Sequence, residues 1–184
     1  TGSISTSIVT DDTVAMTGTV QQSITFTIST STIYFGNLGS GAVKFASSTN
    51  TAGDTIETVA HQLAVSTNAP SGFALSARGQ TLTSQQNAAN TISAIGGTAA
   101  SSTPGTEQFG FRATESGGTG ITLDPTFSFA TSYGYDGTAT SSTLLASGSG
   151  ATPTSTYDLR YLPNIAGVTE AGTYAANLVY VATA

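Results

Sequence analysis

The stretch Ser23–Ser29, SITFTIS, alternates hydroxylated and apolar residues one by one. In an extended chain, Ile24, Phe26 and Ile28 fall on one face, and the Ser and Thr residues fall on the other. Such alternation is typical of a β-strand with one face in a core and one face in water. Wherever the same period recurs, the sequence predicts another strand.

The period does recur along most of the chain. Further alternating segments lie at Leu63–Val65, Phe73–Ala77, Phe109–Phe111, Phe127–Phe129, Tyr157–Tyr161 and Tyr174–Tyr180. Many short strands without helical periodicity predict an all-β fold, a sandwich of the immunoglobulin-like or jelly-roll type. In the last segment Val179 and Val181 add apolar residues to the second face, which predicts a central strand covered on both sides.

Turn residues separate these segments. Asn68–Gly72, NAPSG, predicts the turn of a β-hairpin, because Asn and Gly accept a positive φ and Pro presets the bend. Asp136–Gly137 predicts another tight turn. Thr83–Ile95, with Ser84 as a candidate N-cap, is expected to be a loop with one helical turn.

Composition excludes several classes of partner. Only 8% of the 184 residues are charged, and the net charge is −6, whereas about a quarter of residues are charged in an average domain. Four basic side chains among ten acidic ones cannot line a phosphate-binding surface, so we expect no nucleic-acid partner. No apolar run approaches the roughly 18 residues of a membrane span. The chain begins with Thr1 and shows no signal-peptide pattern, and we expect a mature exported chain.

The sequence offers little for catalysis or metal binding. His61 is the only histidine, and an enzyme would need it oriented by a carboxylate beside a nucleophile. Asp124 and Asp136 are interpreted as turn formers rather than as calcium ligands, and Lys44, the only lysine, as a surface residue. We therefore expect no enzyme activity, no metal and no cofactor.

The stretch Thr13–Val20, TVAMTGTV, is the most unusual part of the chain. Its alternation places Val14, Met16, Gly18 and Val20 on one face of an extended segment. Ile4 and Ile8 continue the apolar pattern towards the N-terminus. Two interpretations stay open: the segment fills a groove of a neighbouring molecule, or it pairs as an edge strand of its own domain, with Gly18 at a bulge.

TVAMTGTV followed by QQSITFTISTSTIYFGNL resembles the subunits of chaperone-usher pili and the related spore coat U family. In those pilins an N-terminal extension is a donor strand, and its glycine sits where the acceptor groove is shallow. By resemblance, Gly18 takes that role, and Val14, Met16 and Val20 fill the groove. The usual cysteine of that family is absent, with Ser23–Ile24 near its place. The cysteine-free composition is similar to that of TasA-type fibre subunits, and IYFGNLGSG to LAVSTNAPSGFALSARG resembles WxL-type surface domains.

The resemblance implies residues 1–20 as a donor-strand extension and residues 21–184 as the β-sandwich domain. It further implies a structural subunit of an extracellular, cell-surface filament or pilus, whose partners are identical subunits. The Ser- and Thr-rich faces also allow surface glycans as a partner class. The alternative is a monomeric cell-surface module that binds a glycan or the cell wall, with exposed Tyr133, Tyr135 and Tyr161 as stacking residues.

Overall fold

The structure is a computed structural model that describes residues 1–7, 12–138 and 140–184. In these residues the fold is all-β and contains no helix, and every strand pairing is antiparallel. The strands are β1 Ile24–Ile28, β2 His61–Thr67, β3 Phe73–Arg78, β4 Thr83–Ser84, β5 Gly96–Ser101, β6 Gln108–Gly117, β7 Ile121–Leu123, β8 Ser132–Tyr135, β9 Thr143–Gly148, β10 Thr152–Asn164, β11 Tyr174–Ala175 and β12 Val179–Thr183.

Two larger sheets carry the fold. One has the strand order β1-β2-β10-β6-β8-β5, and the other has the order β12-β3-β9-β7. A third, two-stranded sheet joins β11 to β4. Since the two large sheets share one hydrophobic core, the prediction of an all-β, sandwich-like fold is confirmed at that level.

The core is built from the alternating residues of the longest strands. On β10, Tyr157, Leu159 and Tyr161 point inwards and are at most 1% exposed. Phe111 on β6 stacks on Phe127 with 4.5 Å between ring centroids. Period two therefore marks the buried face of the central strands correctly.

The NAPSG loop contains the predicted turn residues but does not make a hairpin. β2 pairs with β1 and β10, whereas β3 pairs with β9 and β12, so the loop crosses from one sheet to the other. Gly72 has a φ of +83°, and a Cβ there would lie 1.8 Å from the carbonyl oxygen of Gly148. The hairpin prediction was wrong because alternation does not say in which sheet the next strand lies.

Two other local predictions were also wrong. No strand covers Phe127–Phe129: Phe127 is buried, but Phe129 is 53% exposed. β12 is not a central strand, because it forms one end of its sheet and pairs only with β3 among the described residues. On its outer face Val179 is 46% exposed, and Val181 is half-buried.

Residues 85–95 form a loop as expected, but the expected helical turn is absent, and Thr83–Ser84 form strand β4. Ser84 is therefore not an N-cap: its hydroxyl oxygen closes a turn by accepting the backbone N–H groups of Gln86 and Asn87 at 3.3 Å. Asp124 is the predicted turn former, because its carboxylate accepts the N–H of Thr126 at 2.9 Å.

Candidate strand-binding groove

A groove runs between the two strands that end the large sheets on the same side of the molecule, β1 and β12. Each of these strands pairs along one edge only in the described part of the chain, β1 with β2 and β12 with β3. Its cavity has a volume of about 290 Å³ and continues past the end of β1 towards β11. Apolar side chains from both flanks line it, chiefly Ile28, Ile33, Phe35, Leu82, Leu178 and Tyr180.

The groove exposes side chains that belong to the core. Residues 174, 176, 178, 180 and 182 alternate along one flank and are half-buried, and Phe26 on the other flank is half-buried too. Ile28 is 42% exposed, whereas Leu63, its cross-strand partner on β2, is 0% exposed. Both flanking strands therefore present an uncovered apolar face and an unpaired backbone edge to the same space, which suits a further β-strand.

The groove floor carries one polar connection between the sheets. His61 Nε2 and the Tyr161 hydroxyl are 2.6 Å apart, and the same hydroxyl is hydrogen-bonded to that of Tyr180 on the opposite sheet. The His61 ring stacks on the Tyr161 ring, with centroids 5.5 Å apart. His61 Nδ1 is buried and has no hydrogen-bond partner among the described residues. The sequence pattern did not reveal this contact, because His61 and Tyr161 lie 100 residues apart.

Burial governs the ionisation of this cluster. It lowers the pKa of His61 from 6.5 to about 4, and the nearby backbone of Gln62 opposes this shift only weakly. Burial likewise raises the pKa of Tyr161 and of Tyr180. At neutral pH the imidazole and both hydroxyls are therefore uncharged, as an apolar groove requires.

We expect His61 to make the isolated subunit less stable in mild acid. The unfolded chain takes up a proton near pH 6.5 and the folded chain only near pH 4, so stability falls as the pH drops through that window. The full loss amounts to about 3 kcal/mol. Urea unfolding at pH 7 and at pH 4 should show this loss in the unchanged chain and a much smaller one in His61→Gln. Equal losses in the two proteins would contradict the assignment.

The described residues of the N-terminal extension, 1–7 and 12–20, are exposed and do not line this groove. No strand begins before Ile24 in the described residues, so the own-domain edge strand is not formed there. Val14, Met16 and Val20 are 82–88% exposed, and Ile4 is 90% exposed. Ile8 lies outside the described residues. The four described apolar side chains thus contribute nothing to the core of their own subunit.

Gly18 has no structural reason to be glycine within its own subunit. Its φ is not among the positive values, and a Cβ built on it would have no heavy atom within 4 Å. Neither the conformation nor the packing of the free chain would resist a side chain at this position.

The tyrosines predicted to stack on glycans are buried. Tyr133, Tyr135 and Tyr161 are at most 4% exposed, so the prediction of exposed stacking residues was wrong. Tyr133 donates a hydrogen bond to Glu57, which also pairs with Arg112, with 2.8 Å between Arg112 Nε and Glu57 Oε1. Burial alone would raise the pKa of Glu57, but the hydrogen bonds from Arg112 and Tyr133 outweigh it and lower the pKa. This cluster ties the loop before β2 to the sheet.

The described residues form no cluster of metal-ligating side chains. No group of three or more His, Cys, Asp or Glu residues lies close enough to hold a metal ion there. Within residues 1–7, 12–138 and 140–184 there is also no helix with the length and hydrophobicity of a membrane span. Lys44 donates a hydrogen bond to the carbonyl of Ala52 at 3.2 Å.

Comparison of the chain with protein-family models, with curated proteins and with solved structures found no match.

Proposed function

We propose that this chain is a structural subunit of an extracellular filament or pilus that polymerises by donor-strand complementation and performs no catalysis. The extension of one subunit fills the groove of the next. The observation that carries the proposal is a pair of complementary surfaces on one chain. The apolar side chains of an alternating segment, Val14, Met16 and Val20, are 82–88% exposed, and an apolar groove is flanked by two strand edges that are unpaired in the described part of the chain.

The strand order supports a groove that accepts one strand. In an immunoglobulin-like sandwich, one sheet has the order A-B-E-D and the other the order C-F-G. Here β1, β2, β10 and β6 follow A, B, E and D, and β3 and β12 follow C and F. The place of strand G, beside β12, is the groove. A donated strand at this place would make β12 the internal strand that its sequence predicts.

The dimensions and periodicity of the extension fit this role. The eight residues Thr13–Val20 span about 26 Å when extended, and the flank that ends with β12 offers ten residues, Tyr174–Thr183. In one register Val14, Met16, Gly18 and Val20 all face the core, and Thr13, Ala15, Thr17 and Thr19 all face water. Gly18, which needs no glycine in its own subunit, would lie against a neighbour's groove.

The cost of assembly is low for a chain of this composition. With 14 charged residues among 184, little like-charge repulsion opposes close packing of identical subunits. The Ser- and Thr-rich strand faces suit exposure outside the cell, where surface glycans are a second class of partner. We place the mature filament at the cell surface.

Negative-stain electron microscopy of the purified chain, combined with its mass in solution, tests the proposal. We expect filaments for the full chain and a folded monomer for a variant that lacks residues 1–20. Because the retained residues include the whole sandwich, circular dichroism should give the same strand content for both proteins. A full-length chain that stays monomeric at every concentration would contradict the proposal.

A further inference from the structure

In the described residues, the segment Gln21–Ser23, which follows the extension directly, is held to the loop between β2 and β3 by the side-chain amide of Asn68. Asn68 Oδ1 accepts the N–H of Ser23 at 2.7 Å, and Asn68 Nδ2 donates to the carbonyl oxygen of Gln21 at 2.9 Å. An amide that bonds a C=O and an N–H two residues apart does what one residue of a parallel neighbouring strand does with its own N–H and C=O. It therefore holds Gln21–Ser23 in an extended conformation.

Two more hydrogen bonds fix the same point. The carbonyl oxygen of Ser23 accepts the Thr67 hydroxyl at 2.8 Å and the backbone N–H of Asn68 at 3.3 Å. The next residue, Ile24, is in register with Thr67 at the end of β2. The root of the extension is thus tied to the end of β2, and the described residues before it, 1–7 and 12–20, are exposed.

The direction set by these bonds leads away from the subunit's own groove. An extended Gln21–Ser23 continues the line of β1 backwards, beyond Ile24. The groove cavity lies at the opposite end of β1, from Ile28 to Phe35. To enter that cavity, the extension would have to reverse its direction, and a reversal within Gln21–Ser23 would break both hydrogen bonds to the Asn68 amide.

We propose that Asn68 is a positioning residue that directs the extension out of its own subunit, so that the occupant of each groove comes from a second copy of this chain. The inference rests on the proposed function for the identity of the occupant. The direction itself rests on the hydrogen bonds at Gln21 and Ser23 and on the position of the groove. Asn68 takes no part in lining the groove cavity.

Single-molecule fluorescence energy transfer between dyes at Thr17→Cys and Asn177→Cys tests the direction. The chain has no cysteine, so both labels are specific, and Asn177 lines the groove. At picomolar concentration only the subunit's own extension can reach its groove. We expect low transfer in the otherwise unchanged chain and a new high-transfer population in Asn68→Ala. A tenfold rise in that population corresponds to about 1.4 kcal/mol.

Two further variants keep the result interpretable. Asn68→Asp retains the acceptor for Ser23 and loses the donor to Gln21, so we expect an intermediate population. Asn50→Ala is the matched control. The Asn50 side-chain amide also bonds backbone through both of its polar atoms: Nδ2 donates to the carbonyl oxygen of Gly53, and Oδ1 accepts the N–H of Ala52. It should leave transfer low. Thermal melting identifies any variant that does not fold.

The outcomes separate this inference from the proposed function. Equal transfer with and without the Asn68 amide, or high transfer in the unchanged chain, would overturn the role of Asn68. A second outcome is that Asn68→Ala raises transfer but the unchanged chain forms no filament. Asn68 would then still direct the extension away from its own groove. The filament, and a second copy of the chain as the occupant of the groove, would both be rejected.

Discussion

Met16→Asp subunits are expected to form no filaments under conditions in which the unchanged chain polymerises. Met16 lies at the middle of the apolar face of the extension and is 88% exposed in the free subunit. Its burial in a neighbour's groove contributes ~1.5 to 3 kcal/mol, and a carboxylate there adds a desolvation penalty of several kcal/mol. Each joint should weaken by more than about a thousandfold, since 1.4 kcal/mol is a factor of ten.

Thr17→Asp is the control for this experiment. It adds the same charge one residue further along, on the face that points to water in the proposed register. Pelleting of filaments and light scattering should therefore give a normal polymer for Thr17→Asp and none for Met16→Asp. If both variants polymerise alike, or if both fail, the alternating register of the donated strand is wrong.

A synthetic peptide of residues 12–22 is expected to bind a subunit that lacks residues 1–20 and to raise its Tm. The truncated subunit keeps Gln21–Ser23, through which the extension contacts Asn68, and it keeps the open groove. At a hundredfold excess over Kd the ligand stabilises the fold by about 2.7 kcal/mol. For a domain of this size that corresponds to an increase of roughly 5 to 10 °C.

The site of binding is read from nuclear magnetic resonance. Shifts should concentrate on Ile28, Leu178 and Tyr180, which line the groove. A peptide with Gly18→Leu is the matched control, because the resemblance to pilins implies that the groove is shallow where Gly18 lies. It should bind more weakly. Shifts confined to another surface, or an unchanged Tm with saturating peptide, would contradict the groove as acceptor.

The strands with the clearest alternation could be predicted from the sequence. The segments around Phe26, Phe111 and Leu159 all form strands with the expected face buried. Period two identifies a face because successive side chains point to opposite sides. It does not identify a partner strand, so the crossing at Asn68–Gly72 and the position of β12 at a sheet edge were both missed.

Of the two surfaces that make up the candidate site, the sequence predicted the donated segment and not the groove. The sequence indicated the apolar face of Thr13–Val20, but it left open whether that face pairs within its own domain. The groove could not be predicted because its flanks, β1 and β12, lie about 150 residues apart in the chain and meet through the pairing of strands between them. The hydrogen bonds of His61 and Asn68 could not be predicted for the same reason, because their partners lie 45 to 100 residues away in the chain.

The exit of the extension at the end of β1 away from the groove cavity has a consequence for the assembled filament. Its two termini would be chemically different. One terminal subunit would keep an empty apolar groove, and the subunit at the other terminus would carry an unused extension. Subunits would then add and dissociate at different rates at the two ends. A factor that recognises only the uncovered groove would control filament length from one end.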